Sequence, residues 1–260
     1  MRLNENIAVS TSKVLLVPYD AHHVPRYHQW MEDAAIREAT ASERLTLDEE
    51  YENQASWREA NDKLTFIVCE PLPSDDHSHY NGQQRSAQGH ETSVVVAGEA
   101  DAPPRMMGDI NLFLTPWEPD DDTDARVNGD PRETCCSAEV DIMIADQKHR
   151  GKGFGRAAVA TFLLFVRRNL DGILAEYAGA GSGRPALREL IAKINAGNAG
   201  SIALFKSLGF EQRGGVNYFG EIQMVLEGFG LEGDGMKGGW VAAVGEGGYR
   251  ELGYDRSRLK

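Results

Sequence analysis

The chain has 260 residues, is 41% hydrophobic and carries a formal net charge of −13 at pH 7. This length suits one large domain or two small ones, and the composition is typical of a globular core. The acidic balance argues against nucleic acid as a partner, and no apolar run is long enough to predict a membrane association or a signal peptide.

Cysteine and histidine spacings do not indicate a metal site. The chain has three cysteines, which are Cys69, Cys135 and Cys136. None of them has a zinc-ligand spacing, so we expect ordinary thiols in a reduced, cytoplasmic protein. Three N-terminal histidines lack a cysteine or carboxylate at a recognisable spacing, and we interpret them as packing or surface residues. They are His22, His23 and His28.

The N-terminal region predicts two strands with helices between them. Residues 14–17 form a short apolar run that Pro18 ends, and residues 64–69 form a second run. Pro25 suits the first turn of a helix that continues to Met31.

A capping box predicts the next helix. Thr46 and Glu49 have the spacing at which two side chains satisfy each other's backbone N–H groups at a helix start. We expect Leu47, Tyr51 and Ala55 on the inward face of this helix.

Four segments lack strand or helix periodicity and are rich in polar residues or glycine. Three are interpreted as solvated insertions, at 71–105, 116–134 and 171–186. The fourth, residues 227–260, is interpreted as a flexible tail, although its apolar run at 240–244 is able to pack on the core. The remaining pattern predicts one domain over residues 1–226.

Residues 138–170 contain the most informative pattern. Residues 138–144 alternate apolar and polar positions, which predicts a half-buried strand. A turn containing three glycines follows at 150–155. An apolar stripe then predicts an amphipathic helix, with Val159, Phe162, Leu163 and Val166 facing the core. Further strands are predicted at 106–114, at 187–194 and, as a pair, within 210–226.

A strand, a glycine turn and a helix start form an arrangement suited to binding phosphate. The first N–H groups of a helix have no intrahelical partner, and the helix dipole adds partial positive charge there. The spacing is neither that of a Walker loop nor that of the dinucleotide fingerprint, and the alternative is an ordinary basic turn. The candidate residues are Arg150, Gly151, Lys152, Gly153, Phe154, Gly155 and Arg156.

A second signature lies downstream. Residues 198–210 read Asn-Ala-Gly-Ser-Ile-Ala-Leu-Phe-Lys-Ser-Leu-Gly-Phe. Asn198 is a plausible helix cap, and Ile202, Phe205 and Leu208 supply a buried face. Without the upstream motif, this segment reads as an ordinary capped helix.

Together, the Arg-x-x-Gly-x-Gly turn and the Asn198 segment resemble the two signatures of the GNAT acetyltransferases. The resemblance implies an α/β (α+β) fold with a mixed, mostly antiparallel sheet flanked by helices on both faces. It also implies that acetyl-CoA binds at the glycine turn and along Asn198. The backbone of Met143 and Ile144 is the implied partner of the thioester and the pantetheine arm.

Other stretches are similar to the N-acetyltransferase 9 family within the GNAT enzymes. They lie at 1–6, 16–19, 23–31, 40–47, 56–57, 65–68, 108–114, 139–145 and 192–198. The resemblance implies acetyl transfer to a protein amine, with the N-terminal residue of α/β-tubulin as the acceptor. A non-catalytic acetyl-CoA-binding or microtubule-associated module and an acetyltransferase for small amines are the alternatives.

Glu139 and Asp141 are the candidate catalytic residues. They share one face of the strand before the glycine turn, where a carboxylate is able to attract and deprotonate an amine. The alternative is a solvated strand face, or pairing with arginine or lysine. Many relatives have a tyrosine in the helix after the asparagine, but this chain has Phe205 there. The general acid therefore stays unassigned, with Tyr218 a distant candidate.

Overall fold

The computed structural model describes residues 1–73, 94–117, 134–229, 239–245 and 248–259. Within these ranges, one ten-stranded sheet is covered by helices on both faces. Its strands are β1 (Ile7–Ser10), β2 (Leu15–Pro18), β3 (Lys63–Cys69), β4 (Val94–Val96), β5 (Met106–Pro116), β6 (Cys135–Ile144), β7 (Ala186–Asn195), β8 (Glu211–Arg213), β9 (Glu221–Leu226) and β10 (Arg250–Asp255). Its α-helices are α1 (Val24–Met31), α2 (Ala34–Ala39), α3 (Leu47–Glu59), α4 (Phe154–Arg168), α5 (Leu170–Ala178), α6 (Ala199–Ser207) and α7 (Gly239–Gly245).

The sheet opens between its seventh and eighth strands, β6 and β7. The strand order is β4-β10-β1-β2-β3-β5-β6-β7-β9-β8, and neighbours are antiparallel except for the β6/β7 and β4/β10 pairs. The β6/β7 pairing ends at Glu139 opposite Ile191. Beyond that point β6 pairs only with β5, and β7 pairs only with β9. The ends of the two parallel strands therefore leave a gap at the edge that α4 and α6 adjoin.

The two faces of the sheet have different covers. On the α4 face, buried side chains of β3, β5 and β6 pack against α4, and Phe66 contacts the rings of Phe162 and Phe165 edge to face. This confirms the predicted stripe, since Val159, Phe162, Leu163 and Val166 are all buried. The opposite, α1 face is covered by α1, α2 and α3, with Tyr27 and Trp30 in a second apolar cluster.

The inward face predicted for α3 is wrong. Its capping box is present, with the Thr46 N–H donating to Glu49 and the Glu49 N–H donating to Thr46. However, Leu47, Tyr51 and Ala55 are exposed, and the buried residues of the helix are Glu50 and Gln54. The Gln54 amide donates to the carbonyl of Tyr19 at 2.9 Å, so polar contacts set the orientation of the helix.

The described part of residues 227–260 is not a flexible tail. Strand β10 pairs with β1 on one side and with β4 on the other, so it extends the sheet. In α7, Trp240 is only 1% exposed and packs in the apolar cluster of the α4 face. Strand β10 is difficult to predict from the sequence because it has few apolar side chains. It is held in place mostly by backbone pairing with the neighbouring strands.

Hydrogen bonds to a buried carboxylate anchor this added edge. Asp101 accepts from the Nε2 atoms of His22 and His23 at 3.1 and 2.9 Å, and from the hydroxyl of Tyr254 in β10. The Nδ1 atom of His23 accepts from the backbone N–H of Asp20, which leaves the proton of the neutral ring on Nε2. The ligand atoms of His22, His23 and Asp101 all lie within 4.8 Å of one another, a grouping that is able to hold a metal ion, so the interpretation of these histidines as packing residues stays a prediction.

Two predicted insertions contain regular structure. Residues 171–178 belong to α5, where Ile173 and Leu174 are buried, so only the residues after this helix form a loop. The insertion at 71–105 contributes β4 to the sheet edge. The rest of the insertion at 71–105 includes residues 74–93, and the one at 116–134 includes residues 118–133, both outside the described residues.

Candidate functional site

The glycine turn lies directly before α4 and has an open surface. Gly151 and Gly153 have φ angles of 71° and 84°, a left-handed conformation that favours glycine. A Cβ atom placed on either residue would meet no atom within 4 Å. The backbone of this turn is therefore accessible to a ligand of considerable size.

The start of α4 presents unpaired donors to the same space. Within the described residues, the backbone N–H groups of 151–156 have no backbone acceptor, and the first such bond is from Ala157 to Gly153. Since α4 runs for 15 residues, its dipole adds partial positive charge at this end. Unpaired donors at a helix start are of the kind that suits an anion such as a phosphate or diphosphate.

The basic side chains of the turn have different partners. The guanidinium of Arg150 donates to the carbonyls of Ile144 and Ala145 at 2.8 and 3.1 Å, so it fixes the end of β6. Arg156 donates to Ser207 of α6 at 3.2 Å. Lys152 is exposed and has no side-chain partner in the part of the chain that the structure describes. The donors that this turn leaves unpaired are thus mainly backbone N–H groups.

The other predicted cofactor residues line the gap between β6 and β7. Ile144 is half-buried at the end of β6, and Gly155 lies so close to α6 that a Cβ atom would be 3.0 Å from Leu204. The Oδ1 atom of Asn198 accepts from the N–H of Ser201 at 3.1 Å, which confirms Asn198 as the cap of α6. Met143 faces the other side of the sheet and is buried.

A row of polar side chains crosses the α1 face beside this gap. Thr65 of β3 pairs directly with Asn111 of β5, and Asn111 pairs directly with Asp141 of β6. Asp109 lies two residues before Asn111, on the same face. We call Thr65, Asp109, Asn111 and Asp141 the polar row. Sequence reasoning found only Asp141, although the alternation Asp-Ile-Asn-Leu at 109–112 carries the signal for the rest.

Three oxygens of the polar row are buried without a hydrogen-bond partner. Thr65, Asp109 and Asn111 are only 8%, 2% and 3% exposed. The amide of Asn111 donates to Oδ2 of Asp109 at 2.8 Å, and the hydroxyl of Tyr27 donates to the same atom at 3.5 Å. This leaves the Oγ1 atom of Thr65 and the Oδ1 atoms of Asp109 and Asn111 unpartnered. Buried polar atoms without partners are rare in folded proteins and indicate a binding site.

Burial perturbs the two carboxyls of the polar row. Desolvation, with the nearby charge of Asp141, raises the pKa of Asp109 to about 7. Desolvation, with the charge of Glu139, raises the pKa of Asp141 to about 6. Both groups therefore titrate near neutrality, which is the range suited to proton transfer at physiological pH.

Glu139 has a different setting from Asp141. It lies at the end of the β6/β7 pairing and forms an ion pair with Lys193 of β7 at 2.8 Å. Both side chains of this pair are partly exposed, at 29% and 44%. The pairing with lysine that the sequence left open as an alternative is thus present. Tyr218, the distant candidate for general acid, is 97% exposed in the turn between β8 and β9.

An ion pair joins α1, the helix over the polar row, to the segment before the glycine turn. Arg26 of α1 donates to both carboxylate oxygens of Asp146 at 3.1 Å. Asp146 lies between β6 and the glycine turn. The guanidinium of Arg26 also stacks over the ring of Trp30. This ion pair therefore ties the position of α1 to the position of the turn. The sequence alone does not reveal this connection.

Comparisons with known proteins agree on one family. Residues 13–211 match the domain described as acetyltransferase (GNAT) domain. An N-acetyltransferase 9-like protein of Caenorhabditis briggsae is 37% identical over 89% of this chain and 91% of its own length. The alpha/beta-tubulin-N-acetyltransferase 9 of Drosophila melanogaster is 38% identical over 86% of this chain and 88% of its own length. The human protein of that name is 35% identical, over 87% and 86%.

Solved structures agree on the fold. A spermidine N-acetyltransferase from Vibrio cholerae, in complex with CoA and spermine, aligns with 84% of this chain and 98% of its own, with a TM-score of 0.52 and 16% identity. A ribosomal alpha-N-protein acetyltransferase in complex with coenzyme A aligns with 83% and 94%, with a TM-score of 0.50 and 12% identity. Among the described residues, no helix has both the length and the apolar character needed to cross a bilayer.

Proposed function

The chain belongs to the GNAT acetyltransferases, which use acetyl-CoA, and from this premise we propose that it acetylates the N-terminal amine of a protein. The names of two relatives point to α/β-tubulin as the acceptor. The observation that supports transfer to an amine is the polar row, because it places the buried carboxyl of Asp109 and the half-buried carboxyl of Asp141 beside the gap between β6 and β7. The buried, free thiols of Cys69 and Cys136 support a cytoplasmic location.

The residues of the glycine turn suit the diphosphate of acetyl-CoA. The N–H groups of 151–156 bind it, Gly151 and Gly153 leave room for it, and Lys152 adds charge. The gap lined by Ile144 and α6 receives the pantetheine arm, with the backbone of Met143 and Ile144 and the free amide nitrogen of Asn198 as its partners. When bound, acetyl-CoA supplies the acetyl group as a thioester.

The acceptor side must deliver a neutral amine. An α-ammonium group titrates at about 7.7–8.0, so a carboxylate that titrates near neutrality is a competent base. The reaction converts an ammonium and a thioester into an amide, a thiol and one proton. Glu139 and Asp141 are the carboxylates of β6 nearest to the end of the β6/β7 pairing, and they attract the ammonium and accept its proton.

A panel of acceptors tests the proposal. The protein is incubated with acetyl-CoA and peptides that copy the N-termini of α- and β-tubulin, and thiol release and peptide mass are followed. The matched control is each peptide with its α-amine already blocked. We expect acetylation of the free α-amine and none of the blocked peptides.

Two other outcomes would contradict the proposal. Acetylation of spermidine in preference to every peptide would identify a small-amine acetyltransferase, a function that the acidic lining of the site also favours. Binding of acetyl-CoA in calorimetry, with microtubule co-sedimentation but no turnover on any amine, would identify a non-catalytic module.

A further inference from the structure

We propose that Asp109 and Asp141 act together as a proton-sharing base, and that the three unpartnered oxygens of the polar row bind the acceptor amine as an ammonium. The inference rests on the proposed function and deepens it. It assigns a catalytic role to Asp109 and a binding role to Thr65 and Asn111.

The chemistry of the free atoms identifies the ligand class. Oδ1 of Asp109 is an acceptor, and Oδ1 of Asn111 is an acceptor because the nitrogen of that amide already donates to Asp109. The hydroxyl of Thr65 is able to accept as well. Three free acceptors on adjacent strands match the three N–H groups of an ammonium, and they do not match an anion or an apolar group.

The surroundings of the pair favour a cation, and among the described residues around it no unpaired lysine or arginine competes for this place. Glu139 flanks Asp141 on β6, Tyr27 of α1 donates to Asp109, and Glu50 of α3 is buried nearby. Tyr19 lies between Tyr27 and Glu50. His28 of α1 lies near enough to Glu50 to influence its charge but pairs with Glu32 at 3.8 Å, and Lys193 is paired with Glu139. An ammonium entering this site would compensate buried negative charge.

The proton step balances without a further reactant. Asp109 and Asp141 lie on the same face of neighbouring strands, two register positions apart, and the charge of Asp141 helps to raise the pKa of Asp109, so near pH 7 Asp109 is partly protonated while Asp141 is largely ionised. The ionised carboxylate accepts a proton from the ammonium, so one N–H bond breaks, one O–H bond forms and the nitrogen regains its lone pair. The pair then returns this proton to solvent past Glu139, which is partly exposed.

Tyr27 and Asn111 are positioning residues in this scheme. Both donate to Oδ2 of Asp109, which leaves Oδ1 as the atom that meets the amine. Loss of the Tyr27 hydroxyl should change the pH at which Asp109 titrates more than it changes the binding of acetyl-CoA.

The first test is spectroscopic and needs no turnover. Infrared difference spectra of the unliganded full chain, with and without ¹³C-aspartate labelling, report protonated aspartic acid as a function of pH. We expect a signal that persists to between pH 6 and pH 7. In Asp109→Asn the remaining signal should titrate at lower pH, since the pKa of Asp141 is about 6 and that of the removed Asp109 is about 7. The exposed Asp171→Asn is the matched control and should leave the signal unchanged.

The second test separates the base from the binding oxygens. Asp109→Asn should lower kcat about 100-fold or more, the usual contribution of a general base, while calorimetry shows unchanged affinity for acetyl-CoA. Thr65→Val should raise KM for the acceptor peptide about tenfold and leave kcat nearly unchanged. Thermal unfolding of each variant verifies that it is folded.

The outcomes distinguish failure of the proton-sharing pair from failure of the proposed acetyltransferase function. If wild type acetylates the peptide amine and Asp109→Asn does so at the same rate with the same pH profile, the inference is overturned and the proposed function stands. If the carboxyl signal is absent above pH 5, the shared proton is likewise ruled out. If wild type acetylates no amine, the proposed function itself fails.

Discussion

The two faces of β5 and β6 are built from alternating residues of the same strands and have opposite chemistry. On the α4 face, Ile110, Leu112 and Val140 join a large apolar cluster with Phe162. On the α1 face, Asp109, Asn111 and Asp141 form the polar row. One face thus supplies packing energy and supports the helix whose first turn suits a diphosphate. The other carries buried carboxyls that oppose folding and suit an amine.

Because of this contrast, single substitutions on one face should affect stability, and single substitutions on the other should affect activity. Fully burying a large apolar side chain stabilises the fold by about 1.5–3 kcal/mol, whereas burying a carboxylate without a counter-ion is unfavourable. Substitutions on the α4 face should therefore lower the free energy of unfolding. Substitutions in the polar row should lower activity and leave stability unchanged or improved.

The largest expected effect on stability is on the α4 face. Phe162→Ala should lower the free energy of unfolding by about 3–5 kcal/mol, because Phe162 is fully buried and packs edge to face on Phe66. Urea unfolding followed by circular dichroism measures the change. The control, Phe219→Ala, removes an exposed ring and should stay within about 0.5 kcal/mol of wild type. A loss below about 1 kcal/mol for Phe162→Ala would remove the contrast between the faces.

The second effect is a pH dependence that belongs to the polar row. The folded-state pKa of Asp109 is raised to about 7, above its unfolded value near 3.9, so its stabilising contribution is present below pH 4 and is lost as the pH rises through 7. The free energy of unfolding should therefore fall between pH 5 and pH 8, by on the order of a few kcal/mol. Unfolding titrations at each pH measure this slope.

Substitution of Asp109 should flatten that slope. Asp109→Asn removes the titrating group and keeps its shape, so the variant should be more stable than wild type at pH 8 and similar to it only below about pH 4. The control, Asp171→Asn, changes an exposed carboxylate and should keep the wild-type slope. An unchanged slope in Asp109→Asn would mean that this carboxyl is ionised in the folded protein throughout the range.

The two faces also differ in how far the sequence predicts them. The α4 face follows from helical periodicity, since Val159, Phe162, Leu163 and Val166 repeat at the spacing that a buried helix requires. The glycine turn follows from local chemistry, because its left-handed residues and its position before a helix are visible in a few letters. These local patterns are thus enough to predict the fold without knowledge of contacts between distant segments.

The α1 face was harder to predict because its order depends on contacts between distant segments. The apolar residues of α3 face outward, since Glu50 and Gln54 are the residues of this helix that point inward. Gln54 donates a hydrogen bond to the carbonyl of Tyr19. Asp109 looks like a solvent-facing strand residue until α1 covers it with Tyr27. Strand β10 becomes a strand only because β1 and β4 pair with it, and Asp101 meets Tyr254 across more than 150 residues of chain.

The third effect concerns ligand binding on the α4 side. Gly153→Val should weaken acetyl-CoA binding about tenfold or more, because the side chain would occupy the open space before α4 and disfavour the left-handed turn. Calorimetry with acetyl-CoA measures the affinity. Gly215→Val is the matched control, since that glycine is exposed, has no positive φ and has open space around it. Equal affinities in wild type and Gly153→Val would mean that the diphosphate binds elsewhere.

The smallest expected effect tests which carboxylate of β6 takes part in proton transfer. Lys193→Met breaks the partly exposed pair with Glu139, and such pairs contribute at most about 1 kcal/mol, so the free energy of unfolding should barely change. Without Lys193, the charge of Glu139 should repel the charge of Asp141 more strongly and move its titration slightly upward. The pH profile of kcat/KM for the acceptor peptide should then shift by less than about one unit. If Glu139 alone were the base, Lys193→Met would instead alter this profile as strongly as Asp109→Asn does, and the polar row would lose its catalytic role.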